Sequence, residues 1–338
     1  MKAGVKTPYS IRVIITNAIF MCNLFLMIFI LFFPQDVLNA ARDGLVLWFN
    51  NVLPALLPFI VVVNLLTALG FVRLIGKWAA PLMKWAFGLP GAGGFAFITG
   101  LISGYPVGAK TVADLWRSKT ITTLEAQRLL AFCNNAGPLF IVGVVGVGLM
   151  GDSRAGYVLW AGHIISAGIA GILINMGYTK HHPDKNTPNL KKMQYVDSVF
   201  EKKGTLIDFG KALGDAVKNA TETLLLVGGL IVFFSVVVRA ISIATGDLSF
   251  MAEGVIAGIV EVTGGVKILA SIPAGIISPQ QMAVIGGVIA FGGFSVHAQA
   301  LHFTSRTGVR AGVYIVHKAL GGIIAAGVTW LLWSLFAV

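Results

Sequence analysis

The chain has 338 residues, of which 56% are hydrophobic and 12% charged, and 25 Lys and Arg against 14 Asp and Glu leave a formal net charge of +11. Soluble domains run near about 25% charged, so this balance excludes an ordinary cytosolic enzyme and a disordered chain. The apolar runs are long enough to need lipid, so the positive charge reads first as a signal of membrane orientation, not of nucleic-acid binding.

Residues 13–33 form one uncharged apolar run after a basic N-terminus. It is longer than a signal-peptide core of about 7–15 residues and no small-x-small cleavage site follows, so an uncleaved span is expected. Residues 45–70 read as a second span containing Pro54 and Pro58. Residues 71–90 mix Arg73, Lys77 and Lys84 with Trp78 and Trp85, the pattern of a helix lying at the interface. Residues 92–116 are apolar but interrupted by SGYPVG, leaving two arms too short to span, which suits a re-entrant hairpin. Residues 124–149 span with a break at CNNAGP, and 155–177 span again. A polar, Lys-rich linker follows at 178–205. Residues 217–243 span, 253–275 are interrupted at VTGG, 280–303 span with a break at FGGFS, and 311–336 span.

Residues 121–140 lie on 277–296 without a gap, pairing Gly137 with Gly293, and 98–110 parallel 256–267. Each half therefore reads as span, interrupted hairpin, broken span, span. With the N-terminus in the cytoplasm, the two hairpins enter from opposite faces, the arrangement of many secondary transporters. The expected architecture is all-α: a polytopic membrane protein with inverted-topology repeats, two re-entrant helical hairpins and two broken transmembrane helices. The expected divisions are an N-terminal span at 1–40, a first repeat at 41–178, a cytoplasmic linker at 179–205 and a second repeat at 206–338. Under this topology Arg42, Arg154, Arg239 and Lys267 fall on or toward the outer side, and the other 25 − 4 = 21 basic residues on or toward the cytoplasmic side.

Broken helices expose backbone amides and positive helix N-termini, which hold a polar or anionic solute with few charged side chains. Ser103, Gly104, Tyr105, Pro106 and Gly108 form the first hairpin tip and are candidate substrate-lining residues; the alternative is a turn that only closes the hairpin. Lys110 meets a carboxylate or snorkels to the interface. Asn134 and Asn135, beside Gly137 and Pro138, bind substrate or cap backbone freed by the proline. In the second half Thr263, Gly264 and Lys267 occupy the hairpin. Glu261 is a candidate for a coupling proton, or pairs with Lys267. Gly293 and Ser295 belong to the second break. His297 is a second coupling candidate, against the plainer reading of a satisfied buried histidine, and Gln299 follows it. His163, Asn64, Arg239 and Glu222 read as structural. Cys22 and Cys133 sit in apolar runs, so neither a disulfide framework nor a metal site is expected, and no cofactor is called for. HExxH, GxSxG and P-loop motifs are absent from the sequence, so the chain is not expected to be an enzyme or a self-powered pump.

The strings GYPVGAK at 104–110 and EAQRLLAFCNNAGPLF at 125–140, with the following GVVGVG, resemble the signature region of the YlbJ family of sporulation integral membrane proteins. The match continues more loosely through the second half, and the linker is short for that family. The family is grouped with the gate or nucleoside-recognition domain proteins, which are similar to concentrative nucleoside transporters in their paired hairpins. The resemblance implies a multi-pass protein of the bacterial cell membrane, and in spore formation of the outer forespore membrane, passing dipicolinic acid. Dipicolinate is a small planar dianion, and Lys110, Lys267 and the helix N-termini would offset its charge while Tyr105 faces its ring. The partners implied are that small anionic substrate and the lipid bilayer, with no nucleic acid; homo-oligomerisation stays open. A nucleoside carrier and a non-transporting scaffold for spore-envelope assembly are the alternatives.

Overall fold

A computed structural model describes residues 9–69, 71–181, 209–271 and 277–336. The linker expected at 179–205 lies outside them from residue 182 onward, as do Lys2 and Lys6. The described residues hold helices and no strand. Among the described residues five helical stretches are long and apolar enough to cross a membrane: Pro34–Leu66, Ser153–Tyr178, Phe209–Thr245, Pro279–Thr304 and Ala311–Phe336. The protein is an all-α polytopic membrane protein.

The chain opens with α1 (Tyr9–Phe32) and α2 (Pro34–Leu47), then passes through a π-helical turn at Trp48–Val52 into α3 (Leu53–Ala68). The span expected at 45–70 thus begins earlier, at Pro34. Proline at position i clashes with the carbonyl four residues back, and the widened turn just before Leu53 carries the helix past Pro54. Helix α4 (Phe71–Phe87) meets α5 (Ala92–Ser103) at a bend of 97° measured from Trp78. Trp78 and Trp85 are 80% and 85% exposed, as an interfacial helix requires.

Helix α5 packs on α6 (Val107–Arg117). Helix α7 (Thr123–Cys133) starts on a reciprocal cap: the Glu125 amide donates to the Thr122 hydroxyl at 3.2 Å, and the Thr122 amide donates to the Glu125 carboxylate at 2.7 Å. Thr122→Ala should lower stability by about 1 kcal/mol in detergent unfolding. Helix α7 stops at Cys133, because Gly137 and Pro138 cannot continue it, and the chain resumes as a π-helix at Leu139–Leu149.

Helices α8 (Ser153–His181) and α9 (Phe209–Thr245) follow. Two short helices, α10 (Phe250–Val260) and α11 (Val262–Ala270), pack against each other. The break between them is Glu261, ahead of the VTGG stretch where it was expected. Helix α12 (Pro279–Phe291) ends at Gly292, whose φ of 89° stops it, and α13 (Gly293–Thr304) continues the line. Helix α14 (Ala311–Phe336) closes the fold, packed on α12 and α8.

Among the described residues three large clusters of buried side chains fill the interior, beside a small one of Phe29, Val236 and Ala240. One joins Met83, Phe87 and Phe132 to Tyr314 of α14; one joins Ile141 to Leu269, Met282 and Ile289; one joins Val52 and Leu56 to Leu224 and Ile231. Ala96, Ala109 and Cys133 of the first hairpin and α7 pack in the first cluster, and Ala136, Val262 and Val296 beside the breaks pack in the second.

Candidate functional site

The first hairpin turns at Gly104, with φ of 78°, and the Tyr105–Pro106 peptide is cis. Pro106 is the N-cap of α6. Gly104 lies backbone to backbone against the break of α7: a Cβ on it would stand 2.6 Å from the Gly137 amide nitrogen. Gly100 and Gly108 close on the Cys133 carbonyl from both arms. Glycine is required at residue 104 by both the left-handed φ and this approach. Gly104→Val should cost about 1–3 kcal/mol or more and disorder the tip, read as a lower melting temperature in detergent.

The break after Cys133 frees backbone groups that must find partners inside the protein. The Asn135 side-chain amide donates to the Phe132 carbonyl at 2.6 Å. The Ala136 amide donates to His163 Nε2 at 3.1 Å. The Asn134 carbonyl accepts from the Lys318 ammonium at 2.9 Å, across 184 residues of sequence. Asn134 Nδ2 donates to the Tyr314 hydroxyl at 2.8 Å, and that hydroxyl lies 3.3 Å from His297 Nδ1.

The second hairpin is built differently. Glu261, 2% exposed, folds its carboxylate over the start of α11, accepting from the Thr263 amide at 3.0 Å and the Gly264 amide at 2.5 Å. A carboxylate on a helix N-terminus is favoured by the free amides and the helix dipole. The amides expected to await an anionic solute are therefore already occupied by the chain's own anion. Gly293, with φ of 71°, presses on this tip: a Cβ there would stand 2.8 Å from the Gly258 carbonyl and 3.2 Å from the Val262 amide. The two glycines paired in the sequence, Gly137 and Gly293, thus each sit against the hairpin of their own half.

Between the tips lies a narrow cavity of about 30 Å³, room for about one or two waters, whose polar lining comes from Ser103, Tyr105, Glu261, Thr263, Ser295 and Gln299. Gly104 and Gly137 also line it, and apolar side chains such as Val52, Leu56, Phe140 and Ile231 make up the rest of the wall. The Ser103 and Tyr105 hydroxyls and Gln299 Oε1 are buried without a hydrogen-bond partner among the described residues. A larger vestibule of about 300 Å³, lined by Asp36, Asp43, Arg239, Glu253, Gly264 and Lys267, lies alongside, and Glu261 is the residue common to both linings.

Of the residues singled out in the sequence, Ser103, Gly104, Tyr105, Gly137, Glu261, Thr263 and Ser295 converge on one cavity. Gly264 and Lys267 face the vestibule instead. Lys110 lies on α6 outside both linings. The lysines expected to offset a dianion are therefore not in the cavity wall. Tyr105 packs its ring on Phe140, with centroids 6.1 Å apart. Asn134 and His297 join a polar cluster with Tyr314 and Lys318. Lys318 is 4% exposed, a buried basic residue that the sequence reading does not single out. Lys318 and Tyr314 were missed because each is one polar residue in a long apolar span. Their i, i+4 spacing on one helix face was the available signal.

A family model described as nucleoside recognition (Gate) matches residues 49–153, the segment holding the first hairpin and first break. The sporulation integral membrane protein YlbJ of Bacillus subtilis (strain 168) is 33% identical over 336 residues, covering 92% of this chain and 81% of that protein. No solved structure matches.

Proposed function

The chain belongs to the family of the sporulation integral membrane protein YlbJ, and from that premise we propose that it is a secondary transporter or facilitator of a small anionic solute, dipicolinate first, across the outer forespore membrane. The observation that carries this reading is the cavity where two hairpin tips meet two helix breaks, with Glu261 standing between it and the vestibule. A scaffold needs no interrupted helices at that depth, whereas a solute site uses the backbone groups they expose.

The N-terminus is cytoplasmic in this reading, and the vestibule opens to the opposite side. Solute enters there and meets Glu261. A substrate carboxylate reaches the Thr263 and Gly264 amides by displacing the Glu261 carboxylate, an exchange of one anion for another on the same helix N-terminus. As the hairpin tips part to admit the ring, Ser103, Tyr105, Ser295 and Gln299 serve it and the second carboxylate. Access alternates as the hairpins move against the breaks.

A second reading has its own observation. The cavity wall holds hydroxyls, an amide and a carboxylate but no lysine or arginine, a set that also suits a neutral nucleoside. Thermal unfolding of the purified protein separates the two. A ligand that binds only the folded state at about 100 times its Kd stabilises by about 2.7 kcal/mol. Dipicolinate raising the melting temperature, with uridine inert, is the expected result. Uridine alone raising it moves the assignment to the nucleoside, and neither doing so contradicts both.

A further inference from the structure

Lys318 takes no part in the cavity wall, yet it is a basic side chain sealed inside the helix bundle. Its nitrogen donates to the Asn134 carbonyl, and no carboxylate pairs with it among the described residues. An ammonium without a counter-ion is costly in a membrane interior, so a lysine there marks a charge with a task. The task is not merely to hold the break: any neutral donor of that length would satisfy one carbonyl. Lysine adds a charge that comes and goes, which arginine cannot match.

Cys133 on α7, His163 on α8 and His297 on α13 are within electrostatic reach of it; Tyr314 and His317 lie on its own helix, and α12 carries no titratable residue. Through Asn134 and the Tyr314 hydroxyl it is linked to His297 on the second broken helix. One protonation event at Lys318 therefore bears on both breaks.

Resting on the transport reading above, we propose that Lys318 is the proton-binding group that couples solute movement to a proton gradient, so that solute and proton cross together. In each cycle Nζ gives one proton to water on one side of the membrane, and its lone pair takes one from water on the other; no other bond changes. An anionic solute in the neighbouring cavity and the ammonium favour each other, and that reciprocity is the coupling.

The test uses the full-length protein in liposomes with the membrane voltage clamped at zero, and labelled dipicolinate and uridine as probes. Solute exchange at equal pH is measured beside accumulation driven by a pH step. One proton per solute predicts about tenfold accumulation for a one-unit step in the wild type. Lys318→Arg and Lys318→Met should show exchange but no accumulation above equality. Either variant accumulating like the wild type overturns the proposal, as does a wild type that exchanges solute but ignores the pH step. A wild type that exchanges neither probe overturns the transport reading itself. Where both variants fail to fold, proton uptake is followed when the solute that exchanges is added to wild-type protein in weak buffer: uptake near one proton per chain supports the proposal, and none overturns it.

Discussion

Glu261→Ala is expected to lower solute uptake by about tenfold or more, equivalent to about 1.4 kcal/mol on the rate-limiting barrier, and to lower the melting temperature as well. The carboxylate accepts from the Thr263 and Gly264 amides. Removing it leaves the buried Thr263 amide without a partner, at about 1–3 kcal/mol, and loses a charge-assisted bond at Gly264. It also removes the side chain that separates the cavity from the vestibule. Glu261→Gln keeps one acceptor oxygen and the volume but not the charge. It should regain much of the stability while leaving uptake low. Full uptake in Glu261→Gln, measured in liposomes beside the Ala variant, would show that the carboxylate only caps the helix.

Asn134→Ala is expected to be nearly as damaging. Asn134 is fully buried, and its side chain holds the Tyr314 hydroxyl while its carbonyl holds Lys318. The substitution opens a small cavity and strips a buried hydroxyl of its donor, together about 2–3 kcal/mol. Uptake should fall by about tenfold, because the first break then loses its side-chain bond to Tyr314 and keeps only the backbone bond to Lys318 on α14. Tyr314→Phe removes the same bond from the other side, and the two losses should be strongly non-additive in a double-mutant cycle. Additive losses would mean that the bond does not couple break and helix.

Which parts of this were legible in the sequence follows from how locally each is determined. Proline and glycine act within a turn or two, so the break at CNNAGP and the turn at SGYPVG could be read directly from Pro138, Gly137 and Gly104. The last span, expected at 311–336, is Ala311–Phe336. The second hairpin was placed slightly late because the two glycines of VTGG look like a turn. A glutamate capping the next helix makes Glu261 the turn and draws Thr263 and Gly264 into the helix. Lys318 was out of reach for a different reason. Its role depends on contact with Asn134, and one lysine eight residues into an apolar span looks the same as a snorkelling one. Charge counting assigns such a residue to a surface; only packing places it at a break.

The central claim is that this fold moves a small solute, and liposome flux tests it most directly. Protein-containing vesicles should take up labelled dipicolinate faster than empty vesicles, and unlabelled dipicolinate should compete. Uptake equal to that of empty vesicles, under proton and sodium gradients of either direction, would contradict the account.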